Sequence, residues 1–212
     1  MRFTGKAHLD NLTEFKEWGK TWWEIGRGIS MAADDSPEGI KVVGASKGSI
    51  ILTLAACYPV AKLASAILME AFKLAESFIN ILQEVEKLKA LKIANKVASL
   101  SLEEAAKSAQ SAAEQTKEKG IENIVEMAAR EANAEGDGEK TKVLTLAVKK
   151  LVDFIEKGGE IDFVMPDEPA QDADDENDAQ LVAARKERNE LRNQFVALRE
   201  LEQHVRQLEK KE

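Results

Sequence analysis

The stretch Ile40-Lys41-Val42-Val43-Gly44-Ala45-Ser46-Lys47-Gly48-Ser49-Ile50-Ile51-Leu52-Thr53-Leu54 decides the fold. Two apolar, β-branched runs, 40–43 and 49–54, flank a turn bracketed by Gly44 and Gly48, the pattern of a β-hairpin. In the second strand Ile51, Thr53 and Ala55 point one way, and Ile50, Leu52 and Leu54 the other. Apolar on nearly both faces, it is expected to lie central or sandwiched.

Downstream, Pro59 suits the first turn of a helix, where its missing N–H costs nothing. Ile67, Ala71, Leu74, Phe78, Ile81, Val85 and Leu88 then alternate steps of four and three, a heptad seam. A second row, Leu68, Phe72, Ala75, Ile79 and Leu82, runs beside it, so the apolar face is too wide for a two-stranded coiled coil. A hairpin feeding so long a helix points to packing against other chains.

Upstream, Leu12, Phe15, Trp18, Trp22, Ile25 and Ile29 recur at helical spacing and predict a first helix over 11–31. Trp18 and Trp22 read as core at this spacing, with partner-facing anchors as the alternative, since tryptophan dominates interface hot spots. Ser101-Leu102-Glu103-Glu104 is a capping-box pattern that restarts a helix, and Gly120 is expected to end it. A further helix over 121–134 follows, then a strongly amphipathic one containing Val143, Leu144, Ala147, Leu151, Val152 and Ile155, stopped by Gly158-Gly159. Glu160-Ile161-Asp162-Phe163-Val164-Met165 alternates polar and apolar and reads as a strand joining the hairpin. The fold class expected is mostly α within α+β: a three-stranded sheet, a long helix and a helical bundle over 1–166.

The stretch 167–180 carries Asp167, Glu168, Asp172, Asp174, Asp175, Glu176 and Asp178 without one basic residue, the composition of a solvated linker. From 181 to 212, Leu191, Phe195, Leu198, Leu201, Val205 and Leu208 form an apolar stripe among Arg and Glu. This reads as a C-terminal amphipathic coiled-coil helix that contacts a partner protein.

Composition narrows the function classes. Aromatic content is 5% and charged content 32%, as in helices and coiled coils rather than sandwiches. A formal charge of −8 argues against general nucleic-acid binding, because phosphate contact needs a basic surface. Arg185, Lys186, Arg188 and Arg192 form the one basic cluster. The single cysteine, Cys57, excludes an intramolecular disulfide and is expected to be buried in its apolar run. Met1 to Lys6 opens no signal-peptide pattern, and a cytoplasmic setting is the default expectation.

No catalytic constellation emerges. His8 and His204 lack further ligands at metal spacing, and Cys57 has no local histidine to serve as base. The turn around Lys47 fails as a phosphate loop: three residues separate its glycines, Lys47 precedes the second one, and a strand follows where a helix should begin. We expect no cofactor and no metal. A carboxylate pair converging from distant positions would be invisible at this level.

The order of a Trp-rich helix, the Val42–Leu54 hairpin, a long helix and Phe154-Ile155-Glu156-Lys157-Gly158-Gly159-Glu160-Ile161-Asp162-Phe163-Val164 resembles a group of uncharacterised bacterial and phage-borne proteins, from Leu12 to Pro166. The hairpin before a helix is also similar to small adaptor modules of bacterial conflict and defence proteins. The resemblance implies no catalytic residue. The leading expectation is a non-enzymatic, self-assembling adaptor whose contacts run through Trp18, Trp22, Ile67, Leu74, Phe78, Ile81, Val85 and the C-terminal stripe. A membrane-acting effector using the apolar helix within 49–82 is the alternative.

Overall fold

A helix with two adjacent apolar rows must be covered from two directions, and the chain does so with three further helices. A computed structural model describes residues 1–46, 51–94 and 99–161, with Lys186, Asn189, Asn193, Val196, Ala197 and Glu200 as isolated helical positions. The elements are α1 (Leu12–Ala32), β1 (Lys41–Ser46), β2 (Ile51–Ala55), α2 (Tyr58–Ala94), α3 (Ser99–Glu131) and α4 (Gly138–Glu156). The chain is therefore mostly helical.

α2 and α3 form a long antiparallel pair: Leu74 lies against Gly120, and Phe78 lies under Lys117. At 37 residues, α2 is about 55 Å long. Only its first part belongs to the central core. Ile67, Leu68, Ala71, Phe72, Ala75 and Ile79 of α2 pack there with Ile25 and Ile29 of α1, Ile121, Ile124 and Val125 of α3, and Leu144, Val148, Leu151 and Val152 of α4. Past Ile79 the buried side chains among the described residues of the α2/α3 pair are Gln83, Val85, Ala106 and Ala113, and the pair continues as an arm.

The expected break at Gly120 does not occur. α3 runs unbroken from Ser99 to Glu131, and Gly120 is needed for packing: a Cβ there would stand 2.4 Å from Leu74 Cδ1. Local ends are set by side chains close in sequence. Asn11 accepts hydrogen bonds from the Thr13 and Glu14 N–H groups, and Asp137 from those of Glu139 and Lys140. α1, α3 and α4 end alike, with Asp34, Asn133 and Gly158 at positive φ and N–H bonds from Asp35 to Ser30, Ala134 to Ala129 and Gly159 to Phe154.

β1 and β2 pair antiparallel, Lys41 opposite Ala55 and Ser46 opposite Ile51, with an irregularity at Val43. β1 thus extends through Gly44, Ala45 and Ser46, which the sequence assigned to the turn. Val42 and Val43 of β1 are exposed and Leu54 of β2 is half-buried, while the other β2 side chains, on which the expected sandwiched position turns, lie outside the described residues. Among the described residues the sheet has two strands. Glu160, expected to join it, instead exchanges both backbone bonds with Arg2 (2.6 and 2.9 Å). That bridge sits beyond the C-terminal end of α4, whereas the hairpin leaves the α1 end that Asp34 ties to Lys140 at the start of α4. About 27 Å of helix separates the two. The remainder of that expected strand, 162–165, lies outside the described residues, as do the turn positions 47–50 and the linker 167–180.

α1 and α4 meet closely at Gly28, where a Cβ would stand 2.4 Å from Ala147 Cβ and 2.7 Å from the Val143 carbonyl oxygen. Gly19, in the same helix, has open space around it. Gly28→Ala should cost about 1–3 kcal/mol despite better helix propensity, whereas Gly19→Ala should stabilise by about 0.5–1 kcal/mol. Thermal unfolding followed by circular dichroism checks both, and equal effects at the two positions would refute this reading of the interface.

Candidate interaction surface

The residues proposed from sequence as contact points divide into three groups. Ile67 (0% exposed) and Val85 (1%) are buried inside the chain, so they are core and not surface anchors. Leu74, Phe78 and Ile81 are half-buried along the margin where α2 meets α3. The second row is buried more deeply than the seam itself, with Leu68, Phe72, Ala75 and Ile79 nearly inaccessible. The centre of the α2 apolar face therefore lies toward that row. Leu191, Phe195, Leu198, Leu201, Val205 and Leu208 lie outside the described residues.

Trp18 and Trp22 are also drawn inward. Phe154 of α4 meets Trp18 at 5.2 Å, Trp22 at 5.0 Å and Phe3 at 5.5 Å, all edge to face. Such geometry places the positive ring edge against the negative ring face, worth about 0.5–1.5 kcal/mol per pair beyond burial. The exposed tryptophan is Trp23, at 54%, with the Arg27 guanidinium 5.5 Å over its ring. Sequence reasoning missed it because Trp22 and Trp23 are adjacent, and adjacent helical residues point about 100° apart. With Leu12 at 86% and Phe15 at 47%, Trp23 makes an apolar stripe on the outer face of α1. A second exposed apolar site is the hairpin, where Val42 is 66% and Val43 59% exposed.

Cys57 is exposed rather than buried, and its Sγ donates to Asp35 Oδ2 at 2.8 Å. This bond, with that from the Ser36 N–H, holds the Asp35 carboxyl below its usual range. A thiol bonded to a carboxylate lacks the histidine base of a cysteine nucleophile, and His8 bonds to Asp10 at 2.7 Å. Among the described residues no group of acidic, histidine and cysteine side chains is arranged to hold a metal. No described helix is long and apolar enough to cross a membrane. Leu63, Ile67, Leu68, Phe72 and Ile79, which an inserting helix would expose to lipid, are core.

Among the described residues, carboxylate oxygens are buried on Glu24, Glu156 and Glu160. Glu156, at the end of α4, pairs with Lys117 of α3, whose Nζ also lies 5.0 Å from the Phe78 ring. Its Oε1 is buried without a hydrogen-bond partner. Burial pushes the Glu156 carboxyl up, and the Lys117 ammonium only partly offsets that. The arrangement is a latch at the junction of core and arm, and the neighbouring Asp153 carboxylate is engaged by Lys157 at 2.8 Å.

Because the folded form holds the Glu156 proton more tightly, its contribution to stability is fully present below its ordinary value of 4.5 and declines as pH rises through the folded pKa. Glu156→Gln should remove that decline, so the difference in stability between variant and wild type should shift in the variant's favour from pH 4 to pH 8. Urea titrations across that range test this, and a pH-independent difference would contradict it. The chain matches no protein-family model, no curated protein and no solved structure.

Proposed function

We propose that this chain is a non-enzymatic interaction protein that associates with copies of itself, and that the hairpin is the associating element. The observation that carries the reading is that β1 presents exposed Val42 and Val43 on a two-stranded sheet. A lone two-stranded sheet is marginal in water, and an unpaired strand edge is a template for another strand. Edge-to-edge pairing of two hairpins would yield a four-stranded antiparallel sheet and bring the valines of the two copies side by side on its faces. The Ile67–Val85 seam serves the interior of each protomer in this reading, with Leu74 filling the space at Gly120. The α2/α3 arm then acts as a spacer, and the C-terminal stripe as a separate contact for a protein partner.

Light scattering on the full chain should give a mass above that of one protomer. Val42→Lys/Val43→Lys should return it to a monomer with unchanged helical circular dichroism. Leu74→Glu/Phe78→Glu should lose helical signal and not merely dissociate. A monomeric wild type, or an unchanged mass in the valine variant, would sink the proposal.

A further inference from the structure

The outer face of α1 combines two features that the assembly reading does not use. Leu12, Phe15 and Trp23 recur at i, i+3 and i+11, and Gly19 between them leaves open space in the stripe. Lys16, Lys20 and Arg27 run alongside. Neither Lys16 nor Lys20 has an ion-pair partner among the described residues, and Arg27 is held over Trp23 by its ring contact at 5.5 Å.

The acidic residues of α1 are elsewhere. Glu14 accepts the Asp10 N–H at 2.7 Å, and Glu24 pairs with Lys150 of α4 at 2.8 Å. Glu17, seven residues before Glu24, lies on that same flank. Within α1 the charged side chains nearest the stripe are therefore these cations, along one side of it. This occurs in a chain of net charge −8, but the excess is localised. Eight of the 38 acidic residues fall within 162–180, which has no basic residue; the remaining 30 balance the 30 Lys and Arg. The rest of the chain therefore carries no net negative charge to oppose an anionic partner.

We propose that this face docks on an anionic phospholipid bilayer surface, lying in the interface rather than crossing it. Leu, Phe and Trp would enter the headgroup–acyl boundary while Lys16, Lys20 and Arg27 remain at the phosphates, the arrangement of an interfacial amphipathic helix. A second copy does not suit this face. A two-fold contact matches a surface with itself and would oppose the three cations of each protomer with no acid between them.

Flotation of the full chain with phosphatidylcholine vesicles, with and without phosphatidylglycerol, tests the proposal. Binding is expected on the anionic vesicles only, with release at high salt. Lys16→Glu/Lys20→Glu should weaken binding about tenfold or more, and Phe15→Ser/Trp23→Ser should do so at low salt. These positions are exposed, so circular dichroism should show both variants folded. No flotation on anionic vesicles, or flotation unaffected by either variant, would overturn the assignment. Charge-sensitive binding of a poly-glutamate peptide without vesicle binding would also overturn it, and would identify an acidic protein segment as the occupant.

Discussion

Everything in this fold follows from the width of the apolar face of α2. One neighbour cannot cover two adjacent rows, and α3 lies along only part of that face. The exposed remainder calls for α1 and α4, and their contact with each other is what lets the core close. Ile67, Leu68 and Phe72 are nearly inaccessible because four helices share them. Along the arm, away from α1 and α4, the buried side chains among the described residues are Gln83, Val85, Ala106 and Ala113. The difference between core and arm is thus the difference between four helices and two.

Close approach of α1 to α4 needs a small contact, and Gly28 supplies it opposite Ala147. That approach brings Trp18 and Trp22 onto Phe154, where Phe3 completes the aromatic cluster and the Arg2–Glu160 bridge pins the first residues beside it. The Lys117–Glu156 pair then ties α4 to α3 at the point where the arm departs. Each link is local, and each presupposes the one before.

The two surfaces with interaction potential lie on elements that this packing leaves over. The hairpin connects α1 to α2, and its Val42 and Val43 stay in solvent. α1 turns one face toward α4 and the core, and the adjoining exposed face retains Leu12, Phe15 and Trp23 beside Lys16, Lys20 and Arg27. Large exposed apolar residues grouped on one face carry a desolvation advantage that only a partner can realise. They differ in chemistry: the hairpin offers strand edges and exposed valines, whereas α1 offers rings beside positive charge.

Local signals in the sequence determined the helix ends. Asn11 starts α1 and Gly158 ends α4 because a cap acts within a few residues of itself. The two rows of α2 and the Val/Ile-rich hairpin strands were legible for the same reason: periodicity is a property of neighbours. What the tertiary structure alone decided is direction. Gly120 looks like a helix end in sequence but admits Leu74 from a distant helix. Of Trp18, Trp22 and Trp23, only the position of Phe154 sorts the buried from the exposed. Glu160 reads as a strand residue but forms an isolated bridge, and its partner is Arg2 because the length of α4 carries it to the end opposite the hairpin. Pattern states that a face is apolar; only the packed neighbours, far away in the chain, state what covers it.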